Sequence, residues 1–234
     1  MTMLSDSIDH RTRTAERRRD AMRRRLVESA MLVFAAKGGD TVVIDDVISA
    51  AEVSRGTFYK YFPSTRDLLV AISQELTGEL VAQVELVVAP IPDPVERVAL
   101  GLRLFIETAR TFPLFAGFIR ATRPEVEGPT ALIYDYLPEH LAEGIASGRF
   151  LDMPLEIHLD LITGTVLLCV LRQIAAPTET AHVRQVVASI LRALGLSPEE
   201  AWAIADLDMP PLQLPEDSLL MRAQRRFEGG VDDI

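Results

Sequence analysis

Residues 44–62, IDDVISAAEVSRGTFYKYF, hold two apolar-faced helical patterns, each far too short to be stable alone, separated only by Glu52 and Val53. An isolated helix shorter than about 12–15 residues is marginal in water, so the pair has to pack on further helices. In the second pattern Val53, Phe58 and Phe62 point one way, and Arg55, Thr57, Tyr59, Lys60 and Tyr61 point the other. Ser54 is a good N-cap for it. A rigid helix with apolar anchors behind and a row of donors in front fits the major groove of DNA.

The remainder of the chain carries the same helical period. Leu26, Ala30, Val33 and Phe34 form one stripe, which Gly38 and Gly39 end. Asp40 and Thr41 offer a start for a helix over 44–51. Ser64 and Asp67 form a capping-box pattern that opens a long helix to about Val88. APIPDP at 89–94 breaks the chain. Further helical patterns cover about 95–111, 114–122, 130–147, 155–175 and 179–194, and Ser197-Pro198-Glu199-Glu200 opens one more. No stretch alternates with period two. The expected fold is all-α, with about nine or ten helices. A flexible arm is expected over 1–14, a DNA-binding domain over 15–65, a ligand-binding and dimerisation domain over 66–207, and a Pro- and charge-rich tail, docked or loose, over 208–234.

Charge is unevenly spread. The net charge is −10. Residues 1–72 nevertheless hold 12 Lys+Arg against 10 Asp+Glu, a net of +2, and eight Arg fall between Arg11 and Arg25. Screening limits each charge to about 10 Å at 0.1 M salt, so phosphates respond to the local basic arm and not to the total. The acidic remainder favours one docking face. The single Cys169 excludes an intramolecular disulfide and a multi-cysteine zinc site. The longest charge-free apolar run near the centre, Leu161–Leu171, is 11 residues. A spanning helix needs about 20, so no membrane partner is expected. No apolar run follows the basic N-terminus, so a cytoplasmic location is expected.

The run from Phe34-Ala35-Ala36-Lys37-Gly38 through Val53-Ser54-Arg55-Gly56-Thr57-Phe58-Tyr59-Lys60-Tyr61-Phe62, with Pro63-Ser64 and Asp67-Leu68-Leu69, resembles the TetR family of bacterial transcriptional regulators. About a dozen positions agree in register. The resemblance implies that Arg55 and Thr57 face bases or phosphates, and that Ser54, Tyr59, Lys60 and Tyr61 meet the backbone. Gly56 would allow close approach, and Arg17 and Arg24 of the basic arm would meet phosphate or the neighbouring minor groove. Arg55 is the expected base reader, because Arg pairs bidentately with guanine. Tyr61 is expected to present the more exposed hydroxyl of the two tyrosines. The chain departs from the family pattern in three places. Glu52 replaces the usual turn glycine, Val42 and Val43 replace a capping Thr or Ser, and Thr65 replaces a phosphate-contacting Lys, for which Arg66 is the substitute.

Phe112, Phe115, Phe118, Tyr134, His140 and His158 are candidates for an effector pocket, which would favour an apolar or aromatic small molecule. Leu159, Ile162 and Val166, with Val183, Val187, Ile190 and Leu194, follow a, d spacing and are the expected homodimer surface. No phosphate-cradling GxxxxGK[ST], GxSxG or HExxH pattern occurs, so no catalytic residue, metal or cofactor is expected. The expectation is a DNA-binding regulator released from a pseudo-palindromic operator by a small molecule. The alternative is a sensor of the same fold without sequence-specific DNA binding.

Overall fold

The computed structural model describes residues 3–37, 41–121, 131–176 and 179–229, with side-chain surroundings given except at 3–12, 77 and 131–136. Eleven helices and no strand occur among the described residues. They are α1 (Met3–Lys37), α2 (Ile44–Ala51), α3 (Arg55–Tyr59), α4 (Thr65–Val88), α5 (Pro94–Thr111), α6 (Pro113–Ala121), α7 (Ala131–Ala146), α8 (Leu155–Ala175), α9 (Thr180–Ala193), α10 (Pro198–Ala205) and α11 (Leu219–Gly229).

Local signals set most of these limits. Ser54 Oγ accepts the Thr57 N–H at 3.1 Å and starts α3. Ser64 Oγ accepts the Asp67 N–H at 3.2 Å and starts α4. Asp93 Oδ1 accepts the Val95 N–H at 2.9 Å ahead of Pro94, and Ser197 Oγ accepts the Glu200 N–H at 3.1 Å ahead of Pro198. Each such cap contributes about 1 kcal/mol. Three places differ from the sequence expectation. Residues 3–14 are helical, because neither Gly nor Pro interrupts α1 before Gly38. Thr41 does not cap α2: its hydroxyl donates to the Lys37 carbonyl at 2.8 Å, and α2 starts instead with Asp46 accepting the Val43 N–H at 3.1 Å. Asp40 lies outside the described residues. The third difference is α11, which gives the tail a helix that buries Leu219, Leu220 and Ala223.

Leu26, Ala30 and Phe34 of α1, Val47 and Ala51 of α2, and Phe58 and Phe62 form the core of the N-terminal unit, with Leu68 and Ile72 of α4 joining it. Removing a buried ring such as Phe58 costs about 3–5 kcal/mol. Helix α5 runs through the middle of the C-terminal body and packs on α4, α6, α7, α8, α9 and α10. Arg103 is buried on it, donates to the Leu207 carbonyl, and has its pKa lowered by desolvation. The two units meet where α1 crosses α6. Phe34 and Phe118 stack edge to face at 6.4 Å, and a Cβ on Gly117 would lie 3.1 Å from Ala35 Cβ. Glycine is therefore what lets these helices touch.

The stripes expected at a dimer surface face inward. Leu159, Ile162, Val166, Val183, Val187, Ile190 and Leu194 are all buried within one chain, where α8 and α9 pack on α5 and on each other. Helix α8 carries a second apolar stripe that this chain leaves exposed: Ile157, Leu161 and Leu168, the last at 65%. By length and composition α8 could cross a membrane, but its first stripe is core and includes the buried Cys169, whose thiol pKa burial raises.

Candidate nucleic-acid interface and apolar cavity

The turn between α2 and α3 is built on Glu52, at φ +50° and ψ +50°, the one non-glycine residue with positive φ among those described. Its N–H donates to the Ser49 carbonyl and that of Val53 to the Ile48 carbonyl, at 3.1 and 3.0 Å. This pair of bonds is a Schellman motif, ordinarily closed by glycine. The Glu52 carboxylate also receives Arg25 of α1 at 2.7 Å.

Helix α3 presents Arg55, Gly56, Tyr59 and Lys60 to solvent. Thr57 is half-buried, and its hydroxyl lies 2.9 Å from Ser54 Oγ. The two tyrosines are exposed in the reverse of the expected order. Tyr59 is 50% exposed, standing edge-on against Phe58 at 5.6 Å, while Tyr61 is half-buried and packs on the core. Tyr61 lies three residues after the fully buried Phe58, which turns it towards the same face. A Cβ on Gly56 would meet only Ser54 Oγ at 3.9 Å, so the fold itself leaves room for a side chain there.

Two acids sit beside this face at the start of α2. Arg55 pairs with Asp45 at 2.5 Å, which raises the guanidinium pKa, and Lys37 pairs with Asp46 at 2.5 Å, which lowers the carboxyl pKa. Each acid is thereby neutralised. Val43, at the head of α2, is exposed and has no donor in its side chain. Along α1 the arginines divide. Arg23 reaches Glu75 of α4 at 3.0 Å and lies over the Phe62 ring at 5.8 Å, and Arg25 holds Glu52. Arg17 and Arg24 are exposed, two helical turns apart on one side of α1, and Arg66 is exposed at the head of α4.

A cavity of about 90 Å³ lies between α4, α5 and α7. Leu80, Val81, Val84, Val88, Val98, Gly101, Leu102, Phe105 and Leu137 make its walls, with Glu85, Arg97 and His140 as the polar groups. His140 Nε2 is 3.2 Å from Glu85 Oε1. Arg97 pairs with Glu143 and donates to the Ile91 carbonyl at 3.3 Å, while its buried Nε–H has no acceptor. Of the expected pocket residues whose side chains are described, His140 alone lines this cavity. Phe115 is core at the α5–α6 contact and Phe118 at the α1–α6 contact, and Phe112 packs on that core. His158 is fully buried, its Nδ1 3.3 Å from the Pro154 carbonyl and its ring 6.4 Å from Phe150. The side chain of Tyr134 lies outside the described residues.

Comparison with known proteins agrees with this geometry. Residues 26–72 match the family model described as bacterial regulatory proteins, tetR family. Residues 93–206 match the model described as tetracyclin repressor-like, C-terminal domain. An HTH-type transcriptional regulator of Mycobacterium tuberculosis strain H37Rv is 26% identical over 115 residues, 49% of this chain and 57% of that protein. The chain thus spans little more than half the length of that relative. The solved structure of RolR in complex with resorcinol is 25% identical, with a TM-score of 0.63 over 85% of this chain and 100% of that one. The fatty acid degradation regulator FadR from Bacillus halodurans has a TM-score of 0.63 at 21% identity, covering 75% of this chain and 97% of its own. On the two matched stretches and the helix-turn-helix they contain, the chain belongs to the tetR family of bacterial regulatory proteins.

Proposed function

We propose that this protein is a cytoplasmic, homodimeric DNA-binding transcriptional regulator, a repressor that a small molecule releases from a pseudo-palindromic double-stranded operator. The observation that carries the reading is the exposed row Arg55, Gly56, Tyr59 and Lys60 on a helix capped by Ser54 and rooted in the core by Phe58. Arg55 exchanges Asp45 for a base edge on binding, with Arg17, Arg24, Lys60 and Arg66 on phosphate. Base contacts specify sequence, whereas phosphate contacts set register and salt dependence.

The exposed stripe Ile157, Leu161 and Leu168 supports a two-fold dimer in which α8 meets its copy. Such a pair must set its two α3 helices about 34–36 Å apart to read half-sites one turn apart. The effector occupies the cavity between α4, α5 and α7. Its walls call for a mostly apolar molecule, and Arg97, His140 and Glu85 supply partners for one or two polar groups. An apolar cavity of about 150 Å³ holds benzene. A single ring with a hydroxyl would need the cavity to grow from about 90 Å³ by outward movement of its walls, and a long acyl chain would need far more. The likeness to RolR, solved with resorcinol, supports that class. A ligand acts only through its differential affinity for the two conformers. Because α4 lines the cavity and begins at the Ser64–Asp67 cap, it is the lever.

Selection of bound duplexes from a random library tests this reading. A palindromic motif is expected. On it, Arg55→Ala lowers affinity about tenfold and relaxes one base pair, while Arg24→Ala weakens all duplexes alike. Absence of any motif from a folded dimer moves the assignment to a sensor without sequence-specific DNA binding. The donor-free Val42 and Val43 at the head of α2, and Thr65 where the family pattern has Lys, favour that second reading.

A further inference from the structure

Helix α11 lies outside both stretches that match the family models, yet it packs on α1 of the helix-turn-helix unit and on α4 and α6 of the C-terminal body. At its start both carboxylate oxygens of Glu79 accept the Leu219 N–H, at 2.8 and 2.7 Å. An acid at a helix N-terminus is favoured by the helix dipole and by the unpaired first amides. In its middle Arg222 bridges two helices, with Nε on Glu28 of α1 at 2.6 Å and a terminal nitrogen 3.5 Å from Glu75 of α4. Near its end Arg226 donates to Ser29 Oγ of α1 at 2.9 Å and to the Ala50 carbonyl of α2 at 3.0 Å.

That last bond is chemically pointed. The left-handed turn at Glu52 uses the Ile48 and Ser49 carbonyls and leaves that of Ala50 without a backbone partner among the described residues. Arg226 supplies the donor, and its charge suits a helix C-terminus. The three attachments also lie in order along the molecule. Glu79 directly precedes the cavity residues Leu80 and Val81, Glu75 is one turn nearer the cap at Ser64, and Ala50 is two residues from the turn that aims α3.

We propose that α11 is an intramolecular strap. It holds α1 and α2 against α4, so that the helix-turn-helix unit moves with the helix lining the cavity, and Arg226 is its positioning residue. The effect on DNA rests on the DNA-binding reading above, whereas the strap itself does not. Packing that merely adds stability would leave α1–α3 unchanged when Arg226 is cut back.

The test is hydrogen exchange on the full-length protein, wild type against Arg226→Ala and Arg226→Lys, with duplex titration alongside. Leu219, Leu220 and Ala223 keep α11 docked in both variants. Arg226→Ala is expected to speed exchange of the α2 and α3 amides about tenfold while α8 and α9 are unchanged. Arg226→Lys, which reaches only one of the two acceptors, falls between. Affinity for a duplex that the wild type binds drops about fivefold, because the looser unit has more to order on binding. Faster exchange confined to residues 219–229 overturns the strap. Faster exchange in α2 and α3 with unchanged duplex affinity overturns its role in DNA binding. A wild type that binds no duplex removes the DNA-binding reading, and the exchange result then decides the strap alone.

Discussion

Replacing Glu52 by glycine should make the protein more stable, although it deletes an ion pair. A non-glycine residue in the left-handed region costs about 1–2 kcal/mol, and Glu52 sits there at φ +50°. Glycine removes that cost and adds about 0.4–1 kcal/mol of unfolded-chain entropy. The lost pair with Arg25 contributes little, because the Glu52 side chain is 82% exposed and screened. The net is a gain of about 0.5–1 kcal/mol, or about 2 °C in Tm for a chain of this size. Glu52→Gln separates the two effects, since it removes the charge and keeps the strained backbone. Urea unfolding should show the gain for Glu52→Gly alone. Duplex titration should show tighter binding for both variants, with the logarithmic salt slope steeper by about 0.9 if the freed Arg25 takes a phosphate. Equal stability of the two variants would refute the argument, because the strain relieved would then be no larger than the unfolded-chain entropy that glycine adds.

Three other changes probe separate parts. Gly56→Ala should leave unfolding unchanged or raise stability by up to about 1 kcal/mol, yet lower duplex affinity about tenfold by blocking close approach; retained affinity would show that nothing approaches there. Leu168→Arg should give a folded monomer in sedimentation, and an unchanged dimer would place the interface elsewhere than the exposed stripe of α8. Burial raises the carboxyl pKa of Glu79, with Glu75 adding to the rise and the Leu219 N–H and Arg222 opposing it. The folded chain therefore holds that proton more tightly than the unfolded one, and stability falls as pH rises from the ordinary carboxylate value through the folded one. Glu79→Gln, which keeps an acceptor for the Leu219 N–H, should flatten that slope and be no less stable at pH 7; a steeper slope would reverse the assignment.

What the sequence reveals here is what short-range chemistry decides. Ser54, Ser64, Asp93-Pro94 and Ser197-Pro198 place helix starts because the bonds they make are two or three residues long. The turn is a counter-example: Glu52 in place of glycine points to an altered turn, yet the left-handed geometry is kept. Periodicity shows that Leu159 and Ile162 lie on an apolar face but not what covers it. Helix α8 has two such faces, and the one with the regular a, d spacing is the one this chain buries itself. The cavity is hidden for a related reason. Large rings such as Phe115 and Phe118 fill space, whereas a void remains where valines and Gly101 fail to. Arg222 and Arg226 look like solvated charge in a tail, since their partners on α1, α2 and α4 are between 147 and 197 residues away.

The close approach of Gly117 to Ala35 limits how the N-terminal unit can travel. One turn of sliding along α6 would bring the larger Pro113 and Leu114, or Arg120 and Ala121, to a place already tight for a single methyl group. Translation is therefore disfavoured in both directions relative to rotation about the crossing. The crossing acts as a fulcrum, with the cavity on one arm and α3 on the other. A small displacement of α4 then becomes an arc swept by Arg55, and in a dimer the two arcs would alter the distance between the recognition helices.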